Sequence, residues 1–361
     1  MSDNIYHKLA KVLDTLPNGF PPTETGVEIK LLQKIFSPEE ADLFCDLRLT
    51  IETPEQIAQR TGRPLEGLLE KLIEMDGHGQ LFAFKYGGEH YFRMMPWVFG
   101  IYEFQINRLD REFAELNEEF SPYFERQFAE TQPSLMQTLP IEEEILVTQE
   151  ALPYEQVSNI LENSESIKVM ECICKKEQGL LDNPCDRPVE VCMGFAPIPG
   201  VFDDTDNGRA ISKEEARALI KEAEKNGLVH LTSNQQSGHF YICNCCGCCC
   251  GVLTGITKQG IPAWQVVNSR FYAAVNSDQC SLCGVCADER CQVGAIEAGE
   301  ETYKIIPEKC IGCGLCITTC DEKAIFLVKK SADQITAPPQ DEAAWFKEKG
   351  QARGVDFSQF E

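Results

Sequence analysis

The sequence predicts an α+β protein in three parts. Three observations carry that prediction: helix-capping signals and a hairpin near the N-terminus, strands alternating with one strong helix in the middle, and two dense cysteine runs near the C-terminus. At 361 residues, 43% of them hydrophobic, the chain is long enough for more than one core. The opening MSDNIYHKLAKVLDTLPNGF lacks the apolar run of a secretory leader, and no stretch of about 18 apolar residues follows. A cytoplasmic protein without a transmembrane segment is expected.

Residues 1–27, with the turn-forming LPNGFPPTETG, read as an arm or irregular lead-in. Ser37, Pro38 and Glu40 supply an N-cap, a first-turn proline and a capping-box partner, and Thr53, Pro54 and Gln56 repeat the device. LEGLLEKLIEMDGHG is a third amphipathic helix ending in glycine, and LFAFKY and HYFRMM flank Gly87 and Gly88 as a hairpin. Residues 1–98 therefore resemble a winged-helix domain. Arg63 and Lys71 stand among Glu66, Glu70 and Glu74, which is no basic stripe, so packing or partner docking is expected there rather than nucleic-acid binding. Cys45, between Phe44 and Leu47, reads as a small buried hydrophobe.

Residues 99–164 read as a helical connector or dimerisation region. Phe104, Leu109, Phe113, Leu116 and Phe120 recur at helical spacing, giving an apolar face for core packing or for a homodimer seam. LPIEEEI and LPYEQVSNILENS supply a linker and a short helix. Residues 165–271 form the cysteine-rich central α/β part: IKVMECIC as a strand leading through a loop to Cys185 and Cys192, the Ser212-capped helix SKEEARALIKEAEKNG, then LVHLT and HFYIC as paired strands. Residues 272–330 hold the cysteine runs, and 331–361 form an extended or partly helical tail.

Nineteen cysteines, an odd number with several adjacent in CNCCGCCC, make a poor disulfide framework and a good set of metal ligands in a reducing compartment. Two runs, CSLCGVCADERC and CIGCGLCITTC, repeat cysteine at every third position, which wraps a tight loop around one face of an iron–sulfur cubane whose last corner needs a more distant thiolate. Zinc also takes four thiolates, but usually from paired CxxC knuckles. The runs resemble bacterial two-cluster ferredoxins. That resemblance implies a two-cluster ferredoxin fold with two [4Fe-4S] clusters, one held by Cys280, Cys283, Cys286 and Cys320, the other by Cys310, Cys313, Cys316 and Cys291. The chain departs from the pattern in two ways: four residues separate Cys286 from Cys291 instead of three, and Gln292 and Asp321 stand where proline is usual.

Ten further thiols lie upstream: Cys172, Cys174, Cys185, Cys192, Cys243, Cys245, Cys246, Cys248, Cys249 and Cys250. Alternation along extended strands would turn Cys172 and Cys174, and Cys243 and Cys245, toward one centre. The others remain for a second, in a partition the spacing leaves open: two additional iron–sulfur clusters, or one larger noncubane centre, with a structural zinc site at one of the groups as the alternative. ECICKKEQG, PCDRPVEVC, GRAISKEEA, EAEKNGLVHLTSN and ICNCCGCCCGVL resemble an uncharacterised family of 4Fe-4S ferredoxin-domain proteins of strict anaerobes, a likeness that implies a redox unit but no reaction.

His230 and His239 flank the block as candidate catalytic ligands or proton donors, against the plainer role of packed histidines. Lys175, Lys176, Arg187 and Arg209 would offset cluster charge or bind an anion. A formal charge of −24 disfavours nucleic acid and favours a redox partner with a basic docking surface. The expected function is electron transfer from a low-potential donor to an enzyme partner. The alternatives are a reductase centred on residues 172–250 and a redox-sensing regulator.

Overall fold

The computed structural model describes residues 2–142 and 152–361. Its first element is a helix, Ser2–Thr15, not the arm expected of residues 1–27. The proline-rich stretch that suggested irregularity only follows it, while Tyr6, Leu9, Leu13 and Leu16 recur every three or four residues and are buried. The helices Pro38–Phe44 and Pro54–Thr61 both start with complete capping boxes, and Leu68–Gly77 follows. Then β1 (Phe82–Tyr86) pairs antiparallel with β2 (Glu89–Arg93) around the two glycines, in the predicted order. Arg63 bonds Asp42 and Asp46, and Lys71 bonds Glu40 and Glu74, so these cations are spent on neighbouring carboxylates.

The aromatic helix is Arg111–Ala129, capped by Asp110. Its Phe113, Phe120, Phe124 and Phe128 are buried within the chain, where the helix packs on Val27–Ile35, Ile173–Leu180 and Gly251–Thr257. The face read as a dimer seam is thus consumed internally. The 99–164 region is also more than a connector, because β3 (Met136–Leu139) joins the central sheet. Most of the expected linker, from Glu143 on, lies outside the described residues.

That sheet has seven strands in the order β6-β4-β5-β8-β7-β3-β9, with β4 Ser166–Glu171, β5 Glu190–Ala196, β6 Arg209–Ala210, β7 Val229–Ser233, β8 Tyr241–Cys245 and β9 Val267–Asn268. All neighbours are antiparallel except β3 and β9. The Ser212-capped helix Lys213–Lys225 packs against β4 and β5, and Val169, Met193, Phe195, Ala216, Ile220 and Ile242 fill the space between. The C-terminal part is sparer: β10 (Phe271–Val275) pairs with β13 (Ile325–Lys329), and β11 (Ile296–Ala298) with β12 (Tyr303–Ile305). In the tail, the helix Glu342–Arg353 stacks Trp345 on Phe128, and Arg353 bonds Asp14, tying the chain's two ends together. No helix among the described residues is long and apolar enough to cross a membrane.

Candidate metal centres

The ten upstream thiols fall into two sets. Four of them, Cys185, Cys246, Cys248 and Cys249, bring their sulfurs within 4.8 Å of one another. Cys185 lies 3.8 Å from Cys246 and 3.7 Å from Cys248, and Cys248 lies 3.6 Å from Cys249. The turn after β8 supplies three of them, and the loop after Ile173–Leu180 supplies Cys185. Hydrogen bonds from Cys249 and Cys248 and the nearby Lys175 hold the Cys246 thiol down to about 5, while burial pushes Cys248 up to about 11. Arg187 Nη1 sits 3.8 Å from the exposed Cys248 sulfur.

The other six form a folded chain of contacts, Cys174 to Cys172 to Cys192 to Cys243 to Cys245 to Cys250, each thiol shifting the next, with Cys250 acting back on Cys174 and Cys172 acting on Cys250. The expected strand IKVMECIC stops at Glu171. Cys172 is extended but caps the helix Ile173–Leu180, whose first turn carries Cys174, because the KKEQ that follows favours helix. Cys192 stands on β5, Cys243 and Cys245 share one face of β8, and Cys250 precedes Gly251–Thr257. Hydrogen bonds from Cys174 and Cys192 pull the Cys172 thiol well below its ordinary value, against its burial. Lys175, buried with Nζ on the Pro188 carbonyl, favours ionisation of both Cys172 and Cys246 and so serves both sets.

In the C-terminal part, Cys291, Cys310, Cys313 and Cys316 line one small cavity with Ala273, Val293 and Ile296. Cys283 and Cys320 both act on Cys286, and Cys286 and Cys320 pack in one cluster with Ala273 and Ile325. Backbone N–H groups of Ala273, Ala295 and Ala324 point at the sulfurs of Cys310, Cys291 and Cys320, at 3.4, 3.1 and 3.3 Å. Residues 303–326 match the family model described as a 4Fe-4S binding domain. That match indicates a [4Fe-4S] cluster in this part of the chain, and it supports an iron–sulfur redox protein. No curated protein and no solved structure matches the chain.

The two departures from the ferredoxin pattern have structural uses. The extra residue before Cys291 forms a wide turn, Cys286–Arg290, that delivers Arg290 to the carbonyls of Glu224, Lys225 and Leu315 and to the Thr318 hydroxyl. Gln292 accepts a hydrogen bond from Gly247 N. A proline would lack that side-chain acceptor. Gly247 lies in the upstream thiol loop, so Arg290 and Gln292 join the C-terminal part to the central one.

His230 and His239 both lie away from the thiols. His230 turns to the opposite face of the sheet from Cys243 and Cys245, toward Asn244 Oδ1 at 2.5 Å and Glu224. His239 precedes β8 and reaches Thr232 and Ser233, and burial pulls its imidazole down to about 4. Lys176 pairs with Glu171, and Arg209 with Glu190 and Glu215.

Sequence reasoning missed the residues around two cavities. A cavity of about 140 Å³ touches Cys174 and Cys249 and is lined by Tyr102, Glu103, Glu125 and Glu177. Burial pushes Glu103 up to about 8 and Glu125 and Glu177 up to about 7. A larger, mainly apolar cavity of about 310 Å³ reaches Cys192 and Cys243 and is walled by Phe104, Phe195, Phe202 and Tyr241. Lys168 faces it from β4, its Nζ 5.2 and 5.1 Å from the Phe104 and Phe202 ring centres, and burial pulls its ammonium down to about 8. No carboxylate among the described residues pairs with it. A lysine in IKVME carries no mark of such a position, since it is the sheet's pairing that buries it.

Proposed function

We propose that this chain is a multi-cluster iron–sulfur electron-transfer protein that links a low-potential donor to a redox enzyme partner. The observation that carries the reading is the junction at Gly247 and Gln292. It sets the upstream thiol loop against the neighbour of Cys291, so the thiols of both parts lie on contiguous loops. In the C-terminal part the proposed ligand sets are Cys280, Cys283, Cys286 and Cys320, and Cys310, Cys313, Cys316 and Cys291. The cavity lined by the latter four supports the crossed arrangement. The six-thiol set would hold a further iron–sulfur centre, larger than a cubane because it offers more thiolates than one cubane uses.

Such clusters, when bound, take up and release single electrons with little geometric change. The chain's own part is to aim N–H dipoles at the sulfurs, to exclude water with Val293, Ala295 and Ile325, and to offset cluster charge with Lys175. The net charge of −24 favours a partner with a basic face, in the reducing cytoplasm that these thiols require. The test is anaerobic purification with iron and sulfide analysis and paramagnetic resonance after dithionite. About 12 or more iron atoms per chain and several interacting signals are expected. Zinc alone, or no paramagnetic signal, overturns the reading.

The 310 Å³ cavity favours a second reading, a reductase whose active centre is the six-thiol set. Lys168 would anchor an anionic group on a substrate with an apolar body. Calorimetry with trans-cinnamate tests it: saturable binding weakened about tenfold by Lys168→Met is expected, and no binding by protein with full iron content leaves the carrier reading alone.

A further inference from the structure

Sulfur spacing separates the four-thiol set from every other cysteine group. A tetrahedral ion with metal–sulfur bonds of about 2.3 Å sets its ligands about 3.8 Å apart, whereas thiolates radiating from the corners of a cubane stand roughly 6 Å apart. Cys185, Cys246, Cys248 and Cys249 show separations of 3.8, 3.7 and 3.6 Å, and all their sulfurs lie within 4.8 Å of one another. Among the described residues, the eight sulfurs of the ferredoxin-like runs contain no group of three that close, and neither do the six of the other upstream set.

We propose that Cys185, Cys246, Cys248 and Cys249 bind one zinc ion, closed to substrate and structural in role. Four thiolates in tetrahedral array select zinc or an iron–sulfur cluster, and the spacing leaves no room for the cluster. Four thiolates around a divalent ion carry a net charge of −2. The Arg187 guanidinium, 3.8 Å from Cys248, and the Lys175 charge acting on Cys246 oppose it.

The ion's task follows from its neighbours in the chain. Cys245 and Cys250, both in the six-thiol set, immediately bracket the three loop ligands, so fixing that loop to Cys185 also fixes where these two thiols stand. The zinc site is thus a clamp that shapes the adjoining centre. It goes beyond the electron-transfer reading, which assigns no role to a redox-inert ion.

The test is elemental analysis and zinc-edge absorption spectroscopy on full-length protein expressed in iron-supplemented medium and purified without oxygen. One zinc per chain with four sulfur neighbours is expected, a result that needs no variant. Cys248→Ser, at the exposed rim, should cut zinc content at least tenfold and broaden the resonance assigned to the six-thiol set, leaving the ferredoxin-like signals unchanged. Iron in place of zinc, as a single ion or a cluster, overturns the proposal, as does full zinc retention in Cys185→Ser and Cys248→Ser together. Zinc present with no iron elsewhere sinks the electron-transfer reading while leaving this one standing.

Discussion

The two cysteine-bearing regions reach order by different means. The central region has a seven-stranded sheet whose core of Val169, Met193, Phe195, Ile220 and Ile242 contains no sulfur ligand. The C-terminal region has two two-stranded ladders, and Cys286, Cys291, Cys310, Cys316 and Cys320 are part of the little core it has. The sheet core stands without any proposed metal ligand. The C-terminal region would draw on bound metal for the part of its interior that Val293, Ala295, Ile311 and Leu315 do not bury in the main core, since so short a segment buries little apolar surface by itself.

Iron removal is therefore the harshest test of the contrast. Anaerobic chelation should cost the C-terminal region on the order of 10 kcal/mol, the scale on which small metal-folded domains depend on their ions. In hydrogen exchange, residues 276–330 should lose protection while β4, β5 and β8 keep theirs. Simultaneous loss in both regions would show the sheet to be equally metal-dependent.

The junction decides how far the regions act as one. A Cβ on Gly247 would lie 1.9 Å from the Gln292 carbonyl oxygen, a backbone atom that cannot swing away. Gly247→Ala should destabilise the docked state by about 3 kcal/mol, the upper range for overpacking, and split one thermal transition into two. Gln292→Ala removes the hydrogen bond from Gly247 N and the longer one that its own amide donates to the Arg290 carbonyl, without any clash, and should cost about 1 kcal/mol. Equal effects of the two substitutions would break the argument from close approach.

Local signals were the readable ones. The capping boxes at Ser37 and Thr53, the glycine hairpin and the helix after Ser212 all lie where residue order alone dictates structure. The partner of Cys243 and Cys245 was partly legible, because alternation along a strand fixes which side chains share a face. The division of the ten thiols into four and six was not. Cys185 and Cys192 reach different sets although six residues separate them, because only the latter is carried on β5 beside β8. Lys168 and Glu103 escaped notice for the same reason: long-range pairing, not neighbouring sequence, puts them at a cavity.

His239 gives the central region one acid-sensitive group. His239 titrates at about 4 in the folded chain because burial disfavours its charged form, against about 6.5 when unfolded. Below pH 6.5 the unfolded chain binds a proton that the native imidazole refuses, so the His239 contribution to stability falls as pH drops from 6.5 toward 4 and is flat above that window, while Glu103, Glu125 and Glu177, raised by burial, act in the opposite sense. Between pH 7 and 5.5 that contribution should fall by about 1 kcal/mol, and His239→Gln should change the slope of stability against pH by that amount in thermal melts. A slope unchanged in the variant would show that groups other than His239 set the pH dependence of the central region.

The finest distinction concerns what tunes the six-thiol set. The Tyr102 hydroxyl, carried by the N-terminal half of the chain, lies 3.8 Å from the Cys174 sulfur and 2.6 Å from Glu177, which Asn117 also holds. A donor aimed at a ligand sulfur stabilises the more negative, reduced state, so its removal lowers the potential. At about 1 kcal/mol for one hydrogen bond, Tyr102→Phe should shift the potential of that centre down by ~40 mV in a redox titration. The ferredoxin-like signals, whose sulfurs accept from backbone N–H groups of their own segment, should not move. A shift in both would mean that the clusters feel the charge of the whole molecule more than the dipoles beside them. No shift in either would mean that the Tyr102 proton is committed to Glu177, and that Cys174 is tuned by burial alone.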